Sequence, residues 1–574
     1  MPHVLLTVLG TRPSQALYAL HGRSHEAILA PLALLSLLPP GQRPNAVVAL
    51  CTPEASSDSL PYLREQLPAE CTLTVVDVPS GHSQNDINTF LRRATEAVPH
   101  HDGLRSQLTL DVTHGFRHFA FLTYLAGLYL VSLRDVALLG AWYGLLRRDE
   151  ESPFLDLRPL LELPRWIHAL QVFAETGSAL PMAEALDGQE AAQREASTMA
   201  RELRAISEGY LSALPLELGR QVALFRSQRL RSLHKSLRDR YQLPLAAELV
   251  NQLDHLLQPF ALQINAQGQG WKAKVPLTME ELQRQGRIID ALFSHGDAGM
   301  ALGLLDEWTV TWAAWCMDQS QNWLKYFPQR RLAAGQLGAL TAAAKDGVLK
   351  HLLTAQQQQI GNFWGLLSGL RNGYHHHGMR AEVLVGNPRV DRDLAGVKAF
   401  WDQTLRSCPR IGLAIGDGSA GLLLVSAMGH APGVLSSALQ ACHAHAHREL
   451  STCLVICSAQ SECAITEACA QANFHGDIVP LLLKDPYGGR TEIQHLVEQA
   501  QEHLVLAEEV YVNVTGGTTL MGLAVHALAD AAGRLARPVQ RFGLIDRRSP
   551  GEEVEEPYQV GEPFWLRDRN GEDQ

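Results

Sequence analysis

The sequence predicts two α/β units with parallel, doubly wound sheets, separated by a long all-α segment. Three observations support this fold class. Short apolar runs of strand length alternate with helical patterns near the N-terminus. The periodicity of the middle is helical, with few strand-like runs. The order of the N-terminal runs returns at the C-terminus. We expect three domains, at residues 1–161, 162–405 and 406–574.

Length and composition limit the function classes. The 574 residues suit about three domains of roughly 150 to 200 residues each. The formal net charge of -11 argues against unspecific coating of duplex nucleic acid, so any such contact should be local. The cysteines show no close, even spacing, which indicates a reducing compartment. With no basic leader, and with an apolar run at 119–133 too short to span a bilayer, we expect a cytoplasmic protein without membrane contact.

The N-terminal unit begins with a continuous apolar run at 3–9 that reads as a buried parallel strand. A turn follows it, and a helical pattern is expected near Gln15. Further strand-like runs lie at 46–50, 72–78 and 107–112. Strands that alternate with helices in this way indicate a Rossmann-like sheet.

Ligands of such sheets bind beyond the carboxyl ends of the strands. Two loops fall there, after the first and the fourth strand. They offer hydroxyls, a guanidinium, a helix N-terminus and glycines for close approach, which together suit a phosphate. Ordinary turn chemistry is the alternative for either loop alone. The candidate ligand-binding residues are Gly10, Thr11, Arg12, Thr113, His114, Gly115 and Arg117.

The C-terminal unit is a diverged copy of the first. Strand-like runs at 422–427, 454–459, 479–483 and 510–514 repeat the earlier order. The fourth-strand loop keeps amides and hydroxyls but drops the cation. It could bind the same class of ligand more weakly, process it, or complete an interface. The candidate residues of this second loop pair are Gly429, His430, Thr515, Gly516, Gly517 and Thr518.

Cysteines and histidines also cluster in this unit, and zinc binding has to be weighed. No cysteine pair shows the two-residue spacing of a zinc knuckle, and two of the cysteines lie in or beside an apolar strand. We therefore expect no metal site. The cluster comprises Cys442, Cys453, Cys457, Cys463, Cys469, His443, His445 and His447.

In the middle, a helix predicted from about Val348 carries Arg371, with His375 one turn further and His376 close to the same face. Arginine and histidine together can cleave RNA without a metal. The guanidinium would hold the scissile phosphate, and the imidazole would move the proton of the 2'-hydroxyl or of the leaving group. One such helix supplies half a site, so a two-fold dimer is expected to complete it.

These motifs resemble the CRISPR-associated CARF-HEPN ribonucleases of type III systems. The resemblance rests on Leu9-Gly10-Thr11, on the block from Asp111 to His118 and on Arg371-Asn372-Gly373-Tyr374-His375-His376, and it covers about the first 400 residues. It implies a CARF sensor domain for a cyclic oligoadenylate, most often the tetra-adenylate. It also implies a helical HEPN domain that cleaves single-stranded RNA without metal or cofactor and leaves a 2',3'-cyclic phosphate.

The resemblance assigns Arg371 and His376 as the catalytic pair, with Asn372 as a supporting polar group; His375 and His377 make the histidine less certain. It implies a homodimer or a higher oligomer. The third domain looks like a second CARF domain, although Thr519 stands where the family often has lysine.

Two other classes of function stay open. A CARF domain could degrade the messenger as a ring nuclease. Alternatively, the chain could be a messenger-controlled binding protein without catalysis, although no helix-turn-helix pattern supports a transcription factor.

Overall fold

A computed structural model describes residues 3–99, 106–134, 136–147, 150–187, 194–263, 268–325, 329–376, 379, 383–416, 421–446, 449–485, 489–558 and 561–566. The chain forms two compact units. The N-terminal unit comprises Met1–Ser207 and Leu224–Gln258, and the C-terminal unit comprises Glu208–Ala223 and Pro259–Gln574. The three predicted domain ranges stay predictions.

The N-terminal unit contains an eight-stranded sheet within the described residues, the first sheet, in the order β3-β2-β8-β7-β6-β1-β4-β5. Strands β5, β4, β1, β6 and β7 run parallel, an order of 3-2-1-4-5 with a topological switch point between β1 and β6. Ligand loops are expected at this point. The strands are β1 His3–Val8, β2 Ala16–Leu20, β3 Arg23–Ala27, β4 Ala46–Cys51, β5 Thr72–Asp77, β6 Gln107–Asp111, β7 Ala137–Gly144 and β8 Ser152–Asp156.

The helix predicted near Gln15 is wrong, because Ala16–Leu20 and Arg23–Ala27 form an antiparallel hairpin. The two turn residues, His21 and Gly22, have φ of 50° and 72°, as a tight two-residue hairpin turn requires. Pairing of β2 with β8 joins the hairpin to the sheet. This tertiary pairing outweighs the helical preference of an Ala/Leu-rich run.

Helices cover both faces of the first sheet. Leu5 and Leu9 pack in one core cluster with residues of α1, while Val4, Leu6 and Val8 pack in another with residues of α4 and α5. This alternation is why β1 is buried on both faces. The helices that begin in this unit or cross its boundary are α1 Ala30–Leu37, α2 Pro53–Asp58, α3 Leu60–Gln66, α4 Gln84–Glu96, α5 Arg117–Leu133, α6 Arg158–Thr176, α7 Leu180–Asp187, α8 Arg194–Leu211, α9 Pro215–Gln228, α10 Leu230–Lys235 and α11 Ala246–Leu257.

The C-terminal unit contains a second sheet of six strands within the described residues, in the order β11-β10-β9-β12-β13-β14. Its parallel strands repeat the 3-2-1-4-5 order, and an antiparallel strand again follows the fifth of them, here at the edge of the sheet. The prediction that the strand order is duplicated is thus confirmed. The strands are β9 Leu422–Ala427, β10 Leu450–Cys457, β11 Asp477–Leu482, β12 Glu509–Asn513, β13 Val539–Ile545 and β14 Glu562–Leu566.

The remaining helices belong to the C-terminal unit. They are α12 Met279–Ser294, α13 Ala298–Cys316, α14 Arg331–Lys345, α15 Ala355–His375, α16 Pro388–Gln403, α17 Gly433–His445, α18 Ile465–Gln471, α19 Gly489–Leu506, α20 Thr519–Arg534 and α21 Pro550–Glu555. The predicted mixed α/β class, with parallel-containing sheets and many helices, is confirmed. In the described part of the chain, every helix is too short or too polar to traverse a bilayer.

Candidate functional site

The carboxyl end of the first sheet is organised by a buried carboxylate. Asp111 ends β6 opposite Thr7 of β1 and is fully buried. Its Oδ2 accepts from the Thr7 hydroxyl at 2.7 Å, and its Oδ1 accepts from both the Thr113 amide at 3.1 Å and the Thr113 hydroxyl at 2.5 Å. The Thr113 Oγ1 in turn accepts from the Gly144 amide at 2.8 Å. Predicted ligand residue Thr113 therefore also fixes the frame of its loop.

The two loops that the sequence singled out meet at one cavity of about 270 Å³. A Cβ on Gly10 would lie 3.0 Å from the Gly115 amide nitrogen, tighter than side chains usually approach, so glycine lets the two loops come this close. Gly115 also has φ of 93°, which other residues rarely adopt. The predicted residues that line the cavity are Gly10, Thr11, Arg12, Thr113, His114 and Gly115.

His114 has a structural partner in this cavity wall. Its Nε2 accepts from the Ala30 amide at the start of α1, at 3.0 Å. Burial lowers the pKa of His114 below its usual 6.5, although nearby Asp111 acts in the opposite direction. The imidazole is thus held neutral, with Nε2 as the acceptor. Predicted residue Arg117 is exposed and begins α5, and it is absent from the residues that line the cavity.

The second sheet repeats the frame with an amide in place of the carboxylate. Asn513 ends β12 opposite Ser426 of β9, and both are fully buried. The Asn513 Nδ2 donates to the Ser426 hydroxyl at 3.0 Å, and its Oδ1 accepts from the Thr515 amide at 3.0 Å. The Leu544 amide donates to the Thr515 Oγ1 at 2.8 Å. This pattern matches that of Asp111, but without the charge.

The second loop pair also closes through glycines. A Cβ on Gly429 would lie 3.1 Å from the Gly517 Cα. Gly516 and Gly517 have φ of 104° and 74°. The Thr518 hydroxyl caps α20 by accepting from the Met521 amide, whereas Phe116, the equivalent residue before α5, makes no side-chain cap. His430, the remaining predicted residue, is exposed.

The Arg371 helix begins later than predicted, at Ala355, because Thr354 and Gln357 form a capping box. The Arg371 side chain is half-buried. Its Nη1 donates to the Asn372 Oδ1 at 3.1 Å, and its Nε lies 3.9 Å from the Asp306 Oδ2. The Arg371 Nε is buried and has no hydrogen-bond partner within the described residues. The Arg371 Nη1 is therefore held by Asn372, while the Nε keeps a hydrogen that no acceptor in the described part of the chain takes up.

The two described histidines at the end of α15 lie differently. His375 is the last helical residue and lines a cavity of about 390 Å³. A Cβ on Gly303 of α13 would lie 2.7 Å from the His375 Nε2. His376 is the C-cap and is exposed, as His375 also is; the His376 amide donates to the Asn372 carbonyl oxygen at 3.2 Å. His376 is not among the residues that line the cavity, and His377 lies outside the described residues.

Asp306 is a residue that the sequence reasoning missed. It lies on α13, and burial raises the pKa of its carboxyl to about 6, with Arg371 and Arg330 opposing the rise and Glu307 adding to it. Nothing in the local sequence marks Asp306, because α13 meets α15 only through the tertiary fold. Its carboxylate is the acidic partner of Arg371 in the ionised form.

The cysteine and histidine cluster of the second sheet is dispersed. Cys442, Cys453, Cys457 and Cys469 are buried in the core of that sheet. Within the described ranges, no three His, Cys, Asp or Glu side chains could hold a metal ion together. His447 lies outside those ranges.

Comparisons with known proteins find similarity in both sequence and structure. No family model matches the chain. The CRISPR-associated protein MJ1674 of Methanocaldococcus jannaschii is 27% identical over 115 residues, which is 20% of this chain and 18% of that protein. The chain therefore matches less than a fifth of the length of that relative.

A solved structure, Enterococcus italicus Csm6 bound to cyclic hexa-2'-fluoro-hexa-dAMP, is 9% identical, and the alignment covers 72% of this chain and 95% of that one. Its TM-score is 0.34, at which the likeness supports no inference. The sequence match confirms the resemblance to CRISPR-associated proteins that the motifs predict.

Proposed function

We propose that this protein is a metal-independent endoribonuclease of type III CRISPR defence, switched on by a cyclic oligoadenylate, with the tetra-adenylate as first candidate. In this proposal the first sheet belongs to a CARF sensor domain, α15 to a HEPN ribonuclease domain, and the second sheet to a further CARF-like domain. The observation that carries it is the half-buried Arg371 guanidinium, whose Nε makes no hydrogen bond within the described residues although Asp306 lies 3.9 Å from it.

Cleavage would proceed by attack of an RNA 2'-oxygen on the adjacent phosphorus. The bond from phosphorus to the 5'-oxygen breaks, giving a 2',3'-cyclic phosphate and a 5'-hydroxyl. One imidazole accepts the 2'-hydroxyl proton, and a protonated group returns one to the leaving 5'-oxygen. Arg371 would hold the phosphate oxygens and stabilise their growing charge, with Asn372 orienting the guanidinium through its 3.1 Å contact.

Two observations favour different histidines as the catalytic partner of Arg371. Family spacing favours His376. Placement beside the 390 Å³ cavity, one helical turn from Arg371, favours His375. We keep His376 as the first candidate and treat His375 as its competitor. A two-fold dimer would bring two such helices together and supply both proton-transfer groups.

The sensing half of the proposal rests on the cavity at the switch point of the first sheet. Backbone amides at Gly10 and Gly115, the Thr11 hydroxyl and the Arg12 guanidinium are suited to phosphates. A cyclic tetranucleotide has two-fold symmetry and would contact two copies of this cavity equally. Its binding would favour the dimer arrangement in which the catalytic groups are competent.

The test is a cleavage assay on labelled single-stranded RNA, with and without cyclic adenylates of each ring size. R371A should lower messenger-stimulated cleavage by about a thousandfold, and messenger binding should be unchanged. H375A and H376A are measured side by side. The catalytic histidine is the one whose replacement lowers cleavage as much as R371A does. Cleavage by R371A at the wild-type rate would exclude this site.

The same assay addresses the ring-nuclease alternative if the messenger is labelled instead. The Thr515 to Thr518 loop keeps the glycine-rich geometry of a phosphate loop, which is the observation that favours a second ligand site. Messenger degradation that survives R371A, with RNA left intact, would favour the ring nuclease.

A further inference from the structure

The C-terminal unit has a groove that none of the predicted sites includes. It is an open surface depression of about 830 Å³, bordered by the start of α14, the end of α20 and the start of β13. We call it the arginine groove. Its charged lining residues are Arg331, Arg534, Arg537, Arg541 and Asp530, and its small ones include Ala334, Gly335, Ala529, Gly533 and Ala536.

The arginine groove and the predicted ligand loops lie at opposite ends of the strands of the second sheet. Helix α20 ends at Arg534 and β13 begins at Val539, so the groove is at the amino ends of the parallel strands. Thr515 to Thr518 follow the carboxyl end of β12. The groove is therefore distinct from the second messenger-type site.

Arg537 is the buried residue of the groove, only 5% exposed. Its Nη1 donates to the Gln336 Oε1 at 2.8 Å, and its Nη2 donates to the Val505 carbonyl oxygen. Its Nε is buried without a hydrogen-bond partner in the described part of the chain. Burial of the guanidinium lowers its pKa to about 9, so Arg537 stays protonated at neutral pH. A cation held this way favours a nearby anion.

The other arginines of the groove lie on its wall. Arg541 donates to Asp530 at 2.9 Å, yet its Nε is also buried and unpartnered within the described residues. Arg331 lies 3.8 Å from Glu509, and Arg534 is exposed. In a chain of net charge -11, the groove gathers four guanidiniums. The carboxylates that act on them are Asp530 in the lining and Glu508 and Glu509 behind it, so cations still outnumber carboxylates there.

We propose that the arginine groove binds the phosphodiester backbone of single-stranded RNA, outside the cleavage site. Guanidiniums bind phosphate oxygens through their planar fork. The lining has no aromatic side chain, whereas protein interfaces typically anchor on aromatic groups, and base stacking also needs them. Recognition is therefore of the backbone and independent of base sequence. The inference deepens the proposed function, since it assumes that RNA is the substrate.

The test measures binding by fluorescence anisotropy of a labelled oligouridylate of about 20 nucleotides. All variants carry R371A, so that the RNA stays intact. R534A/R541A should bind about tenfold more weakly at low salt, and the slope of log affinity against log salt should fall by about 1.4, because each lost phosphate contact removes about 0.7. An oligoadenylate of the same length should give the same losses.

The matched control is R194A/R201A, which removes two exposed arginines of α8 and should leave affinity and slope unchanged. R534E provides a second variant at an exposed position, in case R541A disturbs the fold, and thermal unfolding monitors both. Wild-type affinity and slope in both groove variants would overturn the proposal. Displacement of RNA by polyglutamate at equal charge concentration would also overturn it, in favour of an acidic protein partner.

Failure of the groove and failure of the proposed function are distinguishable. Messenger-stimulated cleavage by the otherwise wild-type protein tests the ribonuclease alone. If that cleavage occurs while the groove variants bind RNA normally, RNA binding by the groove is excluded and the ribonuclease proposal stands. If RNA binding depends on the groove but no messenger stimulates cleavage, the messenger-stimulated ribonuclease is excluded and the groove proposal stands.

Discussion

The first and second sheets share a frame and differ where a ligand would touch. In both, the residue that ends the fourth parallel strand bonds a hydroxyl on the first strand and the amide two residues on. In both, a threonine hydroxyl then accepts an amide from the next strand. The first sheet uses the charged Asp111 and the second the neutral Asn513.

The comparison distinguishes the hydrogen bonds that hold each loop in place from the side chains that the loop would present to a ligand. The hydrogen-bond frame survives exchange of a carboxylate for an amide, because both can bond the same two partners. The presented residues have changed together, since His114 becomes Gly516 and the uncapped Phe116 becomes the capping Thr518. Under the proposed function, the first sheet is the one that would present groups to the ligand, whereas Thr518 of the second sheet caps its own helix.

The largest expected effect comes from deleting the frame residues. D111A should destabilise the strands around β6 by about 3 kcal/mol, because the buried Thr7 hydroxyl and the partly buried Thr113 amide both lose their acceptor. N513A should cost the second sheet about 2 kcal/mol. D111N, which copies the second sheet, should cost about 1 kcal/mol. Native-state hydrogen exchange of β6 and β12 measures each, and equal costs for D111A and D111N would contradict the shared frame.

Acid should weaken the first sheet selectively. Folding lowers the pKa of His114. Below pH 6.5 the imidazole therefore binds a proton in the unfolded chain but stays neutral in the folded chain. Stability is therefore fully present above that pH and falls by up to about 1.4 kcal/mol per pH unit below it, until the folded pKa is reached. Hydrogen exchange of β1 between pH 7 and 5 gives the slope.

H114Q provides the control for this acid effect. It should flatten the slope, and the part that remains should come from His3, whose pKa burial also lowers. An unchanged slope in H114Q would show that His114 does not carry the effect.

Exchanging His114 and Gly516, the equivalent loop residues, should affect activation only when the change is made in the first sheet. H114G removes the imidazole that accepts from the Ala30 amide, so the messenger concentration for half-maximal cleavage should rise about tenfold. G516H, the reverse change in the second sheet, places a side chain at a φ of 104° with its Cβ 2.7 Å from the Val434 Cγ1, so it should destabilise that loop yet leave that concentration within about twofold. A larger effect of G516H than of H114G would reverse the assignment of the sensor.

The smallest expected effects concern the helix caps. T518A removes the hydroxyl that caps α20 and should cost about 1 kcal/mol, whereas F116T offers α5 a cap and should gain up to about 1 kcal/mol. F116T also removes an exposed aromatic ring that lines the first cavity, so it should weaken activation while stabilising the helix. Denaturant unfolding and the cleavage assay separate the two effects.

Much of both sheets could be predicted because buried parallel strands leave a direct pattern. The predicted runs at 46–50 and 72–78 match β4 and β5 to within a residue or so. The hairpin could not be predicted from apolar content, since Ala16–Leu20 suits a helix as well as a strand. The turn of His21 and Gly22 was the available signal, although His-Gly is a weaker hairpin marker than Asn-Gly.

The candidate site was predictable only where its chemistry is local. Arg371 and the histidines follow one another in sequence, and the loop glycines stand directly after strands. The start of α15 could have been predicted from Thr354 and Gln357, which have the spacing of a capping box. Asp306 and the arginine groove could not, because their residues come from separate helices and strands that only the fold brings together.

The hairpin of β2 and β3 has a consequence for solubility. It places β3 at the outer margin of the first sheet, where unpaired amides and carbonyls could template pairing with another chain. Four of its five residues, Arg23 to Glu26, are exposed, and they carry charged and polar side chains. Such a margin resists edge-to-edge aggregation. The second sheet ends instead on β14, where Pro563 interrupts the row of amide donors.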